Sequence, residues 1–380
     1  MPAPASRSLD ATLQTSIILC ERFASSLAPN ASVELPPTNS DSPSPLILLE
    51  AAATALKSQA TKLSLLTITA PFTPSAVTTC LNSLNESILT SLVTAALLTT
   101  PELFTPSYSA ECRSLAAALL RDIQGLLRLV EKRSCDSKPK AEVPAGEKKT
   151  ITEATGRVWD DCDRLGLLAK EDVPGYALRK SKQWLDLMKD AVKELEEWDP
   201  EEDIDDEDPF GENPSDDEDS NDPNDTGDDS DRAAISAGVK VQALKVLNRI
   251  PQSIHVVVKQ RLEKLDLTTP ASPEQMKQLD TLQQRNRLIS ELIDESAEGM
   301  YLGNLELCLK KAGEARALTI EVVESVIQPL FPATPALTPA STTTETKEDK
   351  FIKRALEWIM QVDTGPAPPR QTTAQSSSAR

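Results

Sequence analysis

Apolar residues return every three or four positions along most of this chain, the spacing of helices with one buried face. The clearest run is Trp184, Met188, Ala191, Leu195 and Trp198, separated by four, three, four and three residues; Leu185 and Val192 widen the stripe. Before it, Leu9, Leu13 and Ile17 predict a helix over 8–28, and similar patterns follow at about 46–69, after Thr73-Pro74, and at about 109–133. After it, the pattern predicts a helix over 233–265 that Pro251 kinks or splits, then one from Pro273 to about Ala297, one over 301–328 and a last over 347–362. Thr73-Pro74 and Ser272-Pro273 each place a hydroxyl at the N-cap and proline at the first helical position. Gln275 completes a capping box with Ser272, and Thr150 with Glu153 reads as another. Pro174-Gly175 predicts a turn.

Composition narrows the fold. Hydrophobic residues make up 39% of the 380 but aromatic ones only 3%, so the core is aliphatic. Glycine is scarce at 12 residues, and the 28 prolines gather in connecting segments. Both features favour helix packed on helix over sheet. The expected class is all-α: helical bundles in two halves separated by an acidic disordered linker. The expected divisions are an N-terminal bundle over 8–198, the linker over 199–231 and a C-terminal helical region over 232–330. A Pro/Thr linker over 331–346, a helix over 347–363 and a disordered tail over 364–380 complete the chain.

Charge supports that division. Between Lys193 and Arg232 there are 21 acidic residues and no basic one. The other 38 acidic and 40 basic residues nearly cancel, so the net charge of −19 is local. From Pro200 to Asp231 the apolar residues are too few to offset ordering entropy. Such a strip can attract a basic partner or serve as a solvated spacer. Ser215 and Thr226 each precede an acid by three residues and are candidate sites for an acidophilic kinase. Diffuse ion condensation is expected in place of a calcium loop, because the glycine and glutamate positions of such a loop are missing.

Candidate chemistry is sparse. The six cysteines, Cys20, Cys80, Cys112, Cys135, Cys162 and Cys308, show no CxxC pair, so they read as reduced thiols, several of them packed as small apolar groups. His255 stands alone in an apolar stretch and reads as structural. No phosphate-binding glycine motif or nucleophile elbow occurs. The expectation is no catalytic residue, no metal and no cofactor. Lys132-Arg133 and Lys148-Lys149, with Lys138 and Lys140 between, read either as a weak import signal or as an ordinary charged linker. Neither half has the basic excess that direct nucleic-acid binding needs. The apolar run Ile17–Cys20 is too short for a signal core and no stretch is long enough to cross a bilayer, so a soluble, nuclear or cytoplasmic protein without membrane attachment is expected. Trp184, Met188, Leu195 and Trp198 have two readings: a partner-binding face, or a stripe buried in the chain's own bundle.

The segment VWDDCDRLGLLAKEDVPGYALRKSKQWLDLMKDAVKELEEWDPEED, residues 158–203, resembles the cyclin-D-interacting (GCIP-like) family, also called cyclin-D-binding proteins. Val158-Trp159, the helix ending at Trp198, Asp199-Pro200 and the acidic strip follow that family's layout, as does LGNLELCLKKAGEARALTIEVVESVI over 302–327. The resemblance implies an all-helical, non-enzymatic regulator of the cell cycle or transcription, in nucleus and cytoplasm. It implies cyclin or helix–loop–helix proteins as partners, met through helix faces. Two other readings stay open: an acidic chaperone-like binder of basic proteins, and a vinculin-like cytoskeletal adaptor.

Overall fold

The computed structural model describes residues 4–29, 31, 44–135, 142–199, 226–265, 271–330 and 346–362. Among them every regular element is helical, as the apolar periodicity predicts. Acidic residues 200–225 lie outside the described residues. The chain divides into two units, through Tyr176 and from Ala177, so the bundle expected over 8–198 shares residues with both.

The first unit holds α1 (Pro4–Ser26), α2 (Pro45–Ile68), α3 (Pro74–Ser83), α4 (Leu89–Leu98), α5 (Pro106–Ser134) and the first part of α6 (Ala145–Glu197). A π turn, Leu84–Ile88, joins α3 to α4. α5 packs on α1, α2 and α4, and α1 also meets α3. Leu13, Leu56, Leu92, Leu119 and Leu126 are wholly buried, an aliphatic core of the kind the composition requires. One aromatic cluster interrupts it. Tyr108 is buried, stacks on Phe104 at 5.5 Å and meets the edge of Tyr176 at 5.4 Å. Its hydroxyl donates to the carbonyl of Leu168 at 2.8 Å, which satisfies the one polar atom the ring carries inward.

Helix starts follow local chemistry, with corrections. Pro106 opens α5 as its first residue, and Thr105 accepts from the Tyr108 amide at 3.1 Å. Thr73 precedes α3 as expected, but its hydroxyl donates to the Pro71 carbonyl and makes no cap. The capping box expected at Thr150 is absent. α6 starts at Ala145, and Thr150 donates to the Gly146 carbonyl one turn back. The turn expected at Pro174-Gly175 lies two residues earlier. Asp172 has φ 53° and ψ −170°, and helix resumes at once. Pro174 has no amide to give, and its ring would strike the carbonyl four residues back, so the run must break before it. The Asp172 carboxylate takes the Val173 amide at 2.7 Å and restarts the helix.

The second unit holds the last part of α6, then α7 (Thr226–Leu247), α8 (Arg249–Gln260), α9 (Pro273–Tyr301), α10 (Leu305–Ser325) and α11 (Lys347–Met360). α10 sits centrally and packs on α7, α8, α9 and α11. Its buried face includes Ala312, Ala315 and Thr319, small side chains that allow close approach. The break attributed to Pro251 falls at Asn248, since proline is tolerated in a first turn and not deeper. Ser272 and Gln275 form the expected capping box, and Thr346 with Asp349 form a second, at α11. α7 begins at Thr226, so helix is already present over 226–231, part of the stretch expected to be disordered.

Candidate protein-binding surface

The stripe that stood out in the sequence lies on the last part of α6. Its buried centre is Leu185, Met188, Val192 and Leu195, with Met188 and Leu195 at 0% exposure. Trp184, Ala191 and Trp198 flank that line and are half-buried. Met188 and Leu195 therefore belong to the core of the second unit, and of the four residues predicted as a binding face only Trp184 and Trp198 reach the surface in part. Leu187, one turn from Trp184, is 51% exposed and extends this apolar edge. Sequence reading passed over Leu187 because it sits beside the stripe and not in it.

Polar contacts fix this helix at both ends. Near its start, buried Ser181 accepts from the Asn286 amide at 3.3 Å. Lys182 meets Glu263 at 2.8 Å, and Lys259 reaches the same carboxylate at 2.9 Å. Hydrogen bonds from Lys182 and then Lys259 pull the Glu263 carboxyl down to about 2. At its end, Lys240 of α7 donates to the carbonyls of Glu196, at 2.9 Å, and Trp198. These carbonyls have no partner within their own helix, so a cation there also meets the negative end of the helix dipole. The Trp198 ring meets Tyr301 of α9 at 5.3 Å, edge to face. Lys240 and Tyr301 come from distant sequence, and no local pattern could have marked them.

Other sequence candidates are placed as follows. Val158 is buried and Trp159 is 38% exposed; the indole N–H donates to Thr61 at 3.0 Å and Lys57 lies 6.0 Å above the ring. His255 is on the exposed side of α8. Thr226 opens α7, and Ser215 lies outside the described residues. Of the basic pairs, Lys132 meets Glu147 at 3.3 Å, Lys149 meets Glu153 at 3.8 Å and Arg133 is buried. Lys138 and Lys140 lie outside the described residues. Five cysteines are buried and Cys135 is exposed; all six are free thiols. Burial pushes Cys20 and Cys162 up to about 12 and Cys112 up to about 11, so these thiols stay protonated. Among the described residues no group of acids, histidines or cysteines is arranged to hold a metal ion, and no helix is long and apolar enough to cross a membrane.

Residues 48–201, from α2 to just past α6, match the family model described as Grap2 and cyclin-D-interacting, N-terminal. The chain carries a GCIP-like N-terminal domain. No curated protein matches it. The GCIP-like match takes in Val158-Trp159, the last part of α6 and Asp199-Pro200; the acidic strip past residue 201 and the stretch 302–327, on which the sequence resemblance also rests, lie outside it. That family is named for interaction with other proteins.

Proposed function

We propose that this chain is a non-enzymatic regulator of the cell cycle or transcription that acts by binding proteins through helix faces, in nucleus and cytoplasm. D-type cyclins and helix–loop–helix proteins are the partners to try first. The carrying observation is the match of residues 48–201 to a family described by its interactions with Grap2 and cyclin D. The helical surface is compatible with it. Half-buried Trp184 and exposed Leu187 form an apolar edge, and buried aromatic anchors dominate binding at such surfaces.

The purified full chain should bind an immobilised D-type cyclin or helix–loop–helix protein in a biolayer experiment. Trp184→Ala should weaken that binding about tenfold, or about 1.4 kcal/mol, with the circular dichroism unchanged. Failure to bind either partner would overturn the reading, and binding that ignores Trp184→Ala would remove this edge from it. The acidic stretch favours one competing role, a carrier for basic proteins. Histone binding that vanishes on deletion of 200–225, with no cyclin binding, would replace the first reading by that one.

A further inference from the structure

We propose that the trough between α7 and α11 is a docking groove for an amphipathic helix with carboxylates beside its apolar stripe. The inference rests on the chain being a protein-binding regulator and names a second surface for that role.

The trough follows from the packing of the second unit. α7 and α11 each lie against α8 and α10, and this leaves an open space of about 540 Å³ beside them. Val241 and Leu244 of α7 line it together with Trp358 and Val362 at the end of α11. Val241 is 55% exposed, an apolar side chain that its own unit leaves uncovered. Phe351, two turns before Trp358 on α11, is 49% exposed, so apolar surface continues along that helix.

Charge selects the occupant. Lys245 and Arg249 line the trough, and Lys240 stands one turn back from Leu244 on α7. Arg249 donates to the Trp358 carbonyl and lies 4.9 Å from that ring. Lys240 holds the two carbonyls at the end of α6. Neither contact supplies a carboxylate, and Lys245 has no acidic partner among the described residues. Several other cations of the unit have carboxylate partners. Lys182 and Lys259 share Glu263, Arg261 meets Asp349, Lys264 meets Glu348 and Lys311 meets Glu295. Among the described residues Glu196 is the single acid on the lining against Lys245 and Arg249, so the described walls carry an excess of positive charge beside apolar surface.

An acidic helix answers both features. Its apolar stripe covers Val241, Leu244 and Val362, and its flanking carboxylates meet Lys245 and Arg249. A simple polyanion would leave the apolar walls wet, and a basic helix would meet like charge.

The test uses the full chain and two fluorescein-labelled helical peptides of about 18 residues with the same leucine stripe, one flanked by glutamate and one by lysine. Fluorescence polarisation should show the glutamate peptide binding at least about tenfold tighter, with affinity falling as salt rises. Val241→Asp and Lys245→Glu should each weaken it about tenfold or more. Both side chains are exposed, so the circular dichroism should not change. Equal binding of the two peptides, or indifference to both variants, would overturn the inference. So would binding that appears only when 200–225 is deleted, which makes the chain's own acidic stretch the occupant. A concentration-dependent dimer that Val241→Asp abolishes, without peptide binding, would make it a second copy. Loss of the groove's peptide binding with cyclin capture intact leaves the proposed function standing; the reverse result removes that function and keeps the groove.

Discussion

Two buried charges show how much depends on single side chains. Asp161 is 7% exposed, with Arg164 at 3.5 Å on one oxygen and no hydrogen-bond partner on the other. Burial, and then the nearby Asp122 carboxylate, raise its titration above the ordinary range. A carboxyl raised in the folded state stabilises the fold while protonated and loses that contribution as pH rises through its folded value. Asp161→Asn should therefore raise the melting midpoint at pH 7 by about 2–4 °C, a gain that shrinks as pH falls. Differential scanning fluorimetry at several pH values measures it. Arg261 is the opposite case, buried and fully engaged. It donates to the Val326 and Ile327 carbonyls, each at 2.8 Å, and meets Asp349 at 2.7 Å. Arg261→Met would leave these three acceptors bare, and should cost about 3–5 kcal/mol in urea unfolding followed by tryptophan fluorescence.

At the scale of the helix, the turn between α9 and α10 is the most constrained. Gly303 has φ 69°, a conformation other residues seldom adopt, and Asn304 then accepts the Leu307 amide at 3.1 Å. Ser296 donates to the Cys308 carbonyl at 2.8 Å and binds the two helices across this turn. A Cβ on Gly299 would lie 2.9 Å from the Cys308 nitrogen, closer than packed atoms come. Alanine is the better helix former by about 1 kcal/mol, yet the clash with backbone decides the sign. Gly299→Ala should destabilise by about 1–3 kcal/mol in the same urea experiment. Signals with a local mechanism were legible: Ser272 with Gln275, the proline that opens α3, and the apolar spacing of α1 and α2. Thr150 misled because its sequence suits a cap while the chain upstream is equally able to form helix. Leu187 was missed and Leu185 was read only as widening the stripe, because the two tryptophans drew its centre one step around the helix toward themselves.

For the molecule as a whole, acid should loosen the second unit through named carboxyls. Glu263 falls from 4.5 to about 2, held by Lys182 and then Lys259; Asp349 is lowered by the Thr346 hydroxyl and backbone and also by Arg261. Carboxyls lowered in the folded state contribute stability above their unfolded values and lose it as pH falls through the folded ones. Urea midpoints should thus decline from about pH 4.5 toward pH 2, and Glu263→Gln should flatten part of that slope. All-helical architecture was readable from aliphatic composition and periodicity. The site was not, since Lys240, Tyr301 and Trp358 meet their partners across long stretches of chain, and only three-dimensional packing brings them together. The exposed Cys135 stands apart from five enclosed thiols. A colorimetric thiol reagent should count one reactive sulfur in the native protein and six after denaturation. A maleimide dye would then mark the end of α5 without mutagenesis, a built-in reporter for watching this chain meet whatever it binds.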